Sequence, residues 1–145
     1  MDPALTRTLI ALLMIAHALV HVSLTYVPVP QPGALRTPFW PSWWRKNIDP
    51  AWLASRMGLR QDAVRTIGWL LWLGLLVAFV LAGLGLLGVP LLNTVWQPLA
   101  IIGSLFSLVL LVFYWHPWLI FGVVLNAAFL VGIWQQWPAA VFSLK

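Results

Sequence analysis

TIGWLLWLGLLVAFVLAGLGLLG, residues 66–88, runs without a single charged side chain. Crossing a hydrocarbon core of roughly 30 Å takes about 20 apolar residues at about 1.5 Å each, so this stretch is long enough to span a bilayer. Pro90 follows its end. Three further segments read the same way. The first, TLIALLMIAHALVHVSLTYV, covers about 8–27 and runs into Pro28, Pro30 and Pro32. The others cover about 98–115 and about 118–136, with Pro138 near the end of the last. Proline disfavours a helical residue before it, so His116-Pro117 breaks the last two spans into a tight antiparallel hairpin. The expected fold is all-α: one domain over residues 1–145, four transmembrane helices, and a long first loop over about 28–65.

Composition points the same way. Apolar residues make up 62% of the 145 and charged residues 8%, against roughly 25% charged in soluble domains. Such a chain cannot cover itself with polar surface, and lipid is the expected solvent for much of it. The net charge of +5 borders the spans, which points to an anionic lipid surface rather than nucleic acid. Cysteine is absent from the sequence, so disulfides, thiolate metal sites and cysteine nucleophiles are excluded in this chain. The first span has no small-x-small cleavage site before its prolines and is expected to be a retained helix rather than a signal peptide.

Lys and Arg in short loops mark the cytoplasmic side. The first loop carries Arg36, Arg45, Lys46, Arg56, Arg60 and Arg65, whereas 89–97 carries none and the ends offer Arg7 and Lys145. The long loop is expected in the cytoplasm and both termini opposite, in a bacterial inner membrane. Trp40, Trp43, Trp44, Trp52, Trp69, Trp72, Trp115 and Trp118 then fall at or near the inner face, and Trp96, Trp134 and Trp137 at the outer one. That agrees with the preference of tryptophan for membrane interfaces. Trp72 is the one at risk of lying deeper.

Within the loop, Asp49 as N-cap and Pro50 at the first helical position start a short helix that Gly58 would end, suited to lying in the headgroup layer. Before it, Phe39–Lys46 (FWPSWWRK) makes an aromatic and basic patch. Trp40, Trp43, Trp44, Arg45, Lys46 and Trp52 are candidates for a membrane anchor or a docking surface.

Lipid supplies no hydrophobic force between helices, so small residues must let them approach. Gly74, Ala78 and Ala82, continued by Gly85, form such a stripe; Gly103 and Ser107 form a second; Gly122, Asn126 and Ala127 form a third. Titratable groups at membrane depth are expensive and therefore informative. His17 and His21 stand one turn apart on one face, with Leu13 and Thr25 extending the line. His116 lies in the hairpin break. Ser104 and Ser107 can return their hydroxyls to their own helix, and Asn126 could bond across helices.

Three readings fit the histidine pair. Imidazoles at i, i+4 can chelate a metal, but no further ligand lies at that depth. One of them could ligate haem or another tetrapyrrole, making His17 and His21 candidate cofactor-binding residues. Or both stay neutral and bond to helix carbonyls or a neighbour. No nucleophile beside a base, phosphate loop or carboxylate pair is present, so enzymatic activity is not expected. A proton or ion path needs a series of titratable groups, and none is there. The role expected is a non-catalytic accessory subunit of a larger membrane complex, in respiratory or photosynthetic electron transfer. Its partners would be the bilayer, other membrane subunits and a quinone or bound lipid. A small tetrapyrrole-binding protein, and a stand-alone enzyme or transporter for a lipophilic substrate, are the alternatives.

Overall fold

A computed structural model describes residues 2–23, 56–113 and 119–142. All but the last residues of the expected interfacial helix, the patch from Trp40 to Lys46, Trp52 and His116 lie outside these residues. Four helices and one short turn make up the described chain: α1 Pro3–Ser23, α2 Gln61–Leu86, α3 Leu92–Phe113, α4 Ile120–Trp134 and α5 Ala139–Phe142. The first three are long and apolar enough to cross a membrane; α4 is apolar but shorter.

The helix starts lie further upstream than hydropathy suggests. α1 begins at Pro3 rather than near Thr8, because Asp2 acts as N-cap, its Oδ1 accepting the Ala4 N–H at 2.9 Å, and Pro3 needs no donor there. Its first turn is too polar for a hydropathy window to register. α3 begins at Leu92 and takes Pro98 inside it. Hydropathy and the proline rule together had put its start at Pro98. α2 begins at Gln61, so Arg65 belongs to a helix rather than to the loop.

The end of α2 is set by Gly88, whose φ of +91 is a conformation glycine adopts at little cost. Gly88 N–H donates to Gly85 and Val89 N–H to Leu84, satisfying carbonyls that the helix end would otherwise orphan. The short connection then turns α3 back along α2, and these two helices make the most extensive packing in the molecule. α1 packs on α2, α4 on α3, and α5 folds back onto α1. The helices thus form a ring rather than a splayed layer. Its core includes Ala11, Met14, Ala18, Leu75, Phe79, Ala82, Trp96, Ala100, Leu110 and Leu111.

Close approach is concentrated at glycines. A side chain on Gly83 would stand 2.6 Å from Ile15 and 2.9 Å from the Ala11 carbonyl, which marks the α1–α2 contact. Gly103 faces the Phe79 ring, Gly122 faces Leu111, and Gly74 lies under Phe106. Ala78, Ala82 and Ser107 are buried, whereas Ala127 faces outward although Asn126 beside it is buried. Adjacent helical residues stand about 100° apart, so both cannot face the same neighbour.

Candidate functional site

Polar side chains converge at one level of the ring. On α1 the buried line runs Ala11, Met14, Ala18 and His21, with His17 beside it. Leu13 is not part of it and is 44% exposed. The 3.6-residue period carries a strict four-residue line off the buried face, which is why Leu13 drifts outward.

His21 is anchored at both ring nitrogens. Its Nδ1 lies 2.9 Å from the His17 carbonyl oxygen. A carbonyl can only accept, so Nδ1 carries the proton and Nε2 is left as an acceptor. Nε2 faces the Ser107 hydroxyl at 3.5 Å. The Asn126 amide nitrogen then donates to Ser107 Oγ at 2.8 Å and to the Gly122 carbonyl at 2.7 Å. That second bond fixes the amide orientation, since Gly122 O cannot donate. The order of donors is therefore set along α4, α3 and α1: Asn126 to Ser107, Ser107 to His21, His21 to the helix backbone. Ser107 does not return its hydroxyl to its own helix. Its O–H faces the His21 Nε2 acceptor on α1 instead of a carbonyl of α3. Asn126 does bond across helices, as anticipated.

α2 joins through aromatic residues. Trp72 Nε1 donates to the His21 carbonyl at 2.9 Å, tying α2 to the last described turn of α1. This is how Trp72 satisfies its indole N–H. The His17 ring stands edge-on to His21 at 4.9 Å, to Phe79 at 5.2 Å and to Phe129 at 6.2 Å, centroid to centroid. A side chain on Gly122 would come within 3.9 Å of His17 Cε1. α1, α2 and α4 thus meet around this one imidazole.

The centre is not fully paired. Four buried polar atoms among the described residues have no hydrogen-bond partner: His17 Nε2, Asn126 Oδ1, Ser104 Oγ and, near the start of α1, Arg7 Nε. Ser104 could also bond to its own helix and does not. Among the described residues no three His, Cys, Asp or Glu side chains gather where a metal could sit. Of the two candidate cofactor residues, His17 alone keeps a ring nitrogen open on Nε2 within the centre. Sequence spacing singled out His17, His21, Ser107 and Asn126 for separate reasons but not their union, nor the parts of Phe79 and Phe129. The aromatics carried no signal apart from their neighbours in space.

The interface tryptophans divide. Trp134 and Trp137 are 81% and 70% exposed, whereas Trp96 is buried against Phe142. Trp96 therefore packs into the core, where α5 folds over it. Compared with protein-family models, curated proteins and solved structures, the chain matches none.

Proposed function

We propose that this chain is a non-catalytic accessory subunit of a larger membrane assembly, seated in a bacterial inner membrane with its long first loop in the cytoplasm. One observation carries this reading. His21, Ser107 and Asn126 bond to one another across α1, α3 and α4 instead of lining a path. Polar groups used in that way hold helices together, and a transporter would need them arranged as a relay. The outward faces are apolar, with Leu9, Leu12, Leu70, Leu73, Phe121 and Val124 exposed, as suits contact with lipid or with apolar faces of neighbouring subunits. Electron-transfer complexes are the assemblies that the paired histidines and aromatic content favour.

The decisive measurement is the native size after extraction from its own membranes in mild detergent, with co-migrating chains identified. Migration in a large complex supports the proposal and supplies the function of that complex. Migration as a small species overturns it. Orientation is checked separately with Ser42→Cys, which should resist labelling from outside intact cells. A second reading, a tetrapyrrole-binding protein, now narrows to His17, since both nitrogens of His21 are engaged. It requires an absorption band in the isolated chain that His17→Phe abolishes.

A further inference from the structure

Arg7 stands in the second turn of α1 and is the one cation among the described residues at the end of the ring where that helix begins. Arg56, Arg60 and Arg65 stand before α2 or in its first turns, and Trp72 further along α2 meets α1 only at its far end, at His21. Spacing turns Arg7 inward. Ala11, Met14, Ala18 and His21 follow it at i+4, i+7, i+11 and i+14, and all four are buried, so its stem leaves the helix on the core face. Arg7 is half-buried. Its Nε is shut off from solvent and has no hydrogen-bond partner among the described residues.

The charge also lacks an opposite one. The sequence holds three acidic residues, Asp2, Asp49 and Asp62. Asp2 is spent as the N-cap of α1, its Oδ1 accepting the Ala4 N–H. Asp62 opens α2 at the other end of the ring, and Asp49 belongs to the long first loop, outside the described residues. A cation held in a membrane protein without an opposite charge is costly, and burying part of it removes the water that would serve instead. Its partner must be an anion. The guanidinium donors form a fixed planar fork, so that anion should offer two acceptor oxygens side by side. Phosphate and carboxylate both do.

Position decides between them. α5 folds back onto α1, with Val141 buried and Phe142 against Trp96, while Trp134 and Trp137 just before it remain exposed. Exposed tryptophan favours the headgroup level of a bilayer. A cation with its stem in apolar surroundings and its head at that level is placed as snorkelling side chains are. The anion present throughout that layer is the lipid phosphate.

We infer that Arg7 binds the headgroup phosphate of an anionic phospholipid, in the leaflet where α1 begins. The inference rests on the chain spanning a bilayer and not on its belonging to a larger assembly, so either proposal can fail without the other.

The test uses the full chain in mild detergent and two lipids with the same acyl chains, phosphatidylglycerol and a diacylglycerol, which lacks the phosphate. Binding is read by native mass spectrometry across a lipid titration. Phosphatidylglycerol should bind about ten-fold or more tighter, as a charge-assisted hydrogen bond gives. Arg7→Gln should erase most of that advantage, and Arg7→Lys, which keeps the charge but not the fork, should fall between. Equal binding of the two lipids would overturn the inference, as would an advantage that Arg7→Gln leaves intact. Inorganic phosphate in excess should not displace the lipid; displacement would assign the site to a soluble anion and overturn it. Loss of the Arg7→Gln chain from a larger native complex, with lipid binding unaltered, would give the guanidinium to a neighbour's carboxylate and overturn it too. Should the variants fail to fold, the unaltered chain still decides. A phosphatidylglycerol with a photoreactive headgroup should label residues 2–10 and 137–142, and labelling confined to 28–65 would sink the inference.

Discussion

The two ends of the α1–α2–α3 packing are held by different physics. Toward the N-terminal end of α1, backbones approach through Ala11, Gly83, Gly85 and Trp96, with no hydrogen bond between helices recorded there. Toward its C-terminal end, His21, Ser107, Asn126 and Trp72 join the same helices and α4 through a directed chain of hydrogen bonds. Shape fixes distance at the first end. Donor and acceptor order fixes rotation at the second. Dispersion contacts are weak singly and lost steeply with separation, whereas hydrogen bonds between helices are each worth about 0.6 kcal/mol on average, up to about 1.7, since the unfolded helices also find partners. The steric end should therefore be the less forgiving.

Gly85→Ala tests that most sharply. Its added methyl would stand 2.5 Å from the Leu92 carbonyl oxygen and 2.9 Å from Trp96 Cβ, and backbone cannot swing aside as a side-chain tip does. A loss of roughly 2–3 kcal/mol is expected, at the upper end of ordinary overpacking, read from unfolding in mixed detergent. Gly74→Ala is its control. The obstacle there is the Phe106 ring, which is itself 38% exposed and free to rotate outward, so the loss should stay below about 1 kcal/mol. Equal losses at both glycines would mean that the α2–α3 approach is not limited by backbone.

Asn126→Leu addresses the other end. It keeps the volume, removes the donor to Ser107 and leaves the Gly122 carbonyl with its helical role. About 1–2 kcal/mol should be lost. If this exceeds the Gly85→Ala loss, the comparison reverses, and the polar chain rather than the glycine contact dominates the fold. Ser107→Ala should cost less, about 0.5–1 kcal/mol. Combined with Asn126→Leu the loss should fall short of the sum, because the two side chains share one bond while Ser107 also gives up its contact with His21. Full additivity would show that they act separately.

Sequence made one end much more readable than the other. Glycine and alanine stripes are one-dimensional, and Gly74, Gly103 and Gly122 could be named from spacing alone. Gly83 could not, because its partners Ala11 and Ile15 lie on a different helix and no stripe on α2 includes it. The polar chain was legible only as separate residues. His17 and His21 stood out as titratable groups in an apolar run, and Asn126 as an amide in the middle of the last apolar run. That they meet through Ser107 depends on the relative depth and rotation of three helices, which hydropathy does not encode. Helix starts were misplaced for a related reason: Asp2-Pro3 carries the same N-cap and N1 pattern that Asp49-Pro50 does, but a hydropathy window passes over it.

The smallest effect calibrates the rest, since it touches neither end of the packing. α4 closes as α2 does: Gln136 N–H donates to Ile133 and Trp137 N–H to Gly132, the same pair of bonds that Gly88 and Val89 make. The residue at the turn differs. Gly88 has φ of +91 and Gln136 has φ of +50, a region where a residue with a side chain costs about 1–2 kcal/mol. Gly88→Ala should therefore destabilise by about 1 kcal/mol, and Gln136→Gly should stabilise. The gain is reduced by the extra freedom glycine has in the unfolded chain, about 0.5–1 kcal/mol, leaving a net of roughly 0.5 kcal/mol. Gln136 is exposed, so its side chain gives up no core packing when removed. A rise in detergent melting temperature for Gln136→Gly, set beside a fall for Gly88→Ala, would show that both helices end in the same left-handed turn. No rise would mean that Gln136 offsets its backbone cost through contacts of its own.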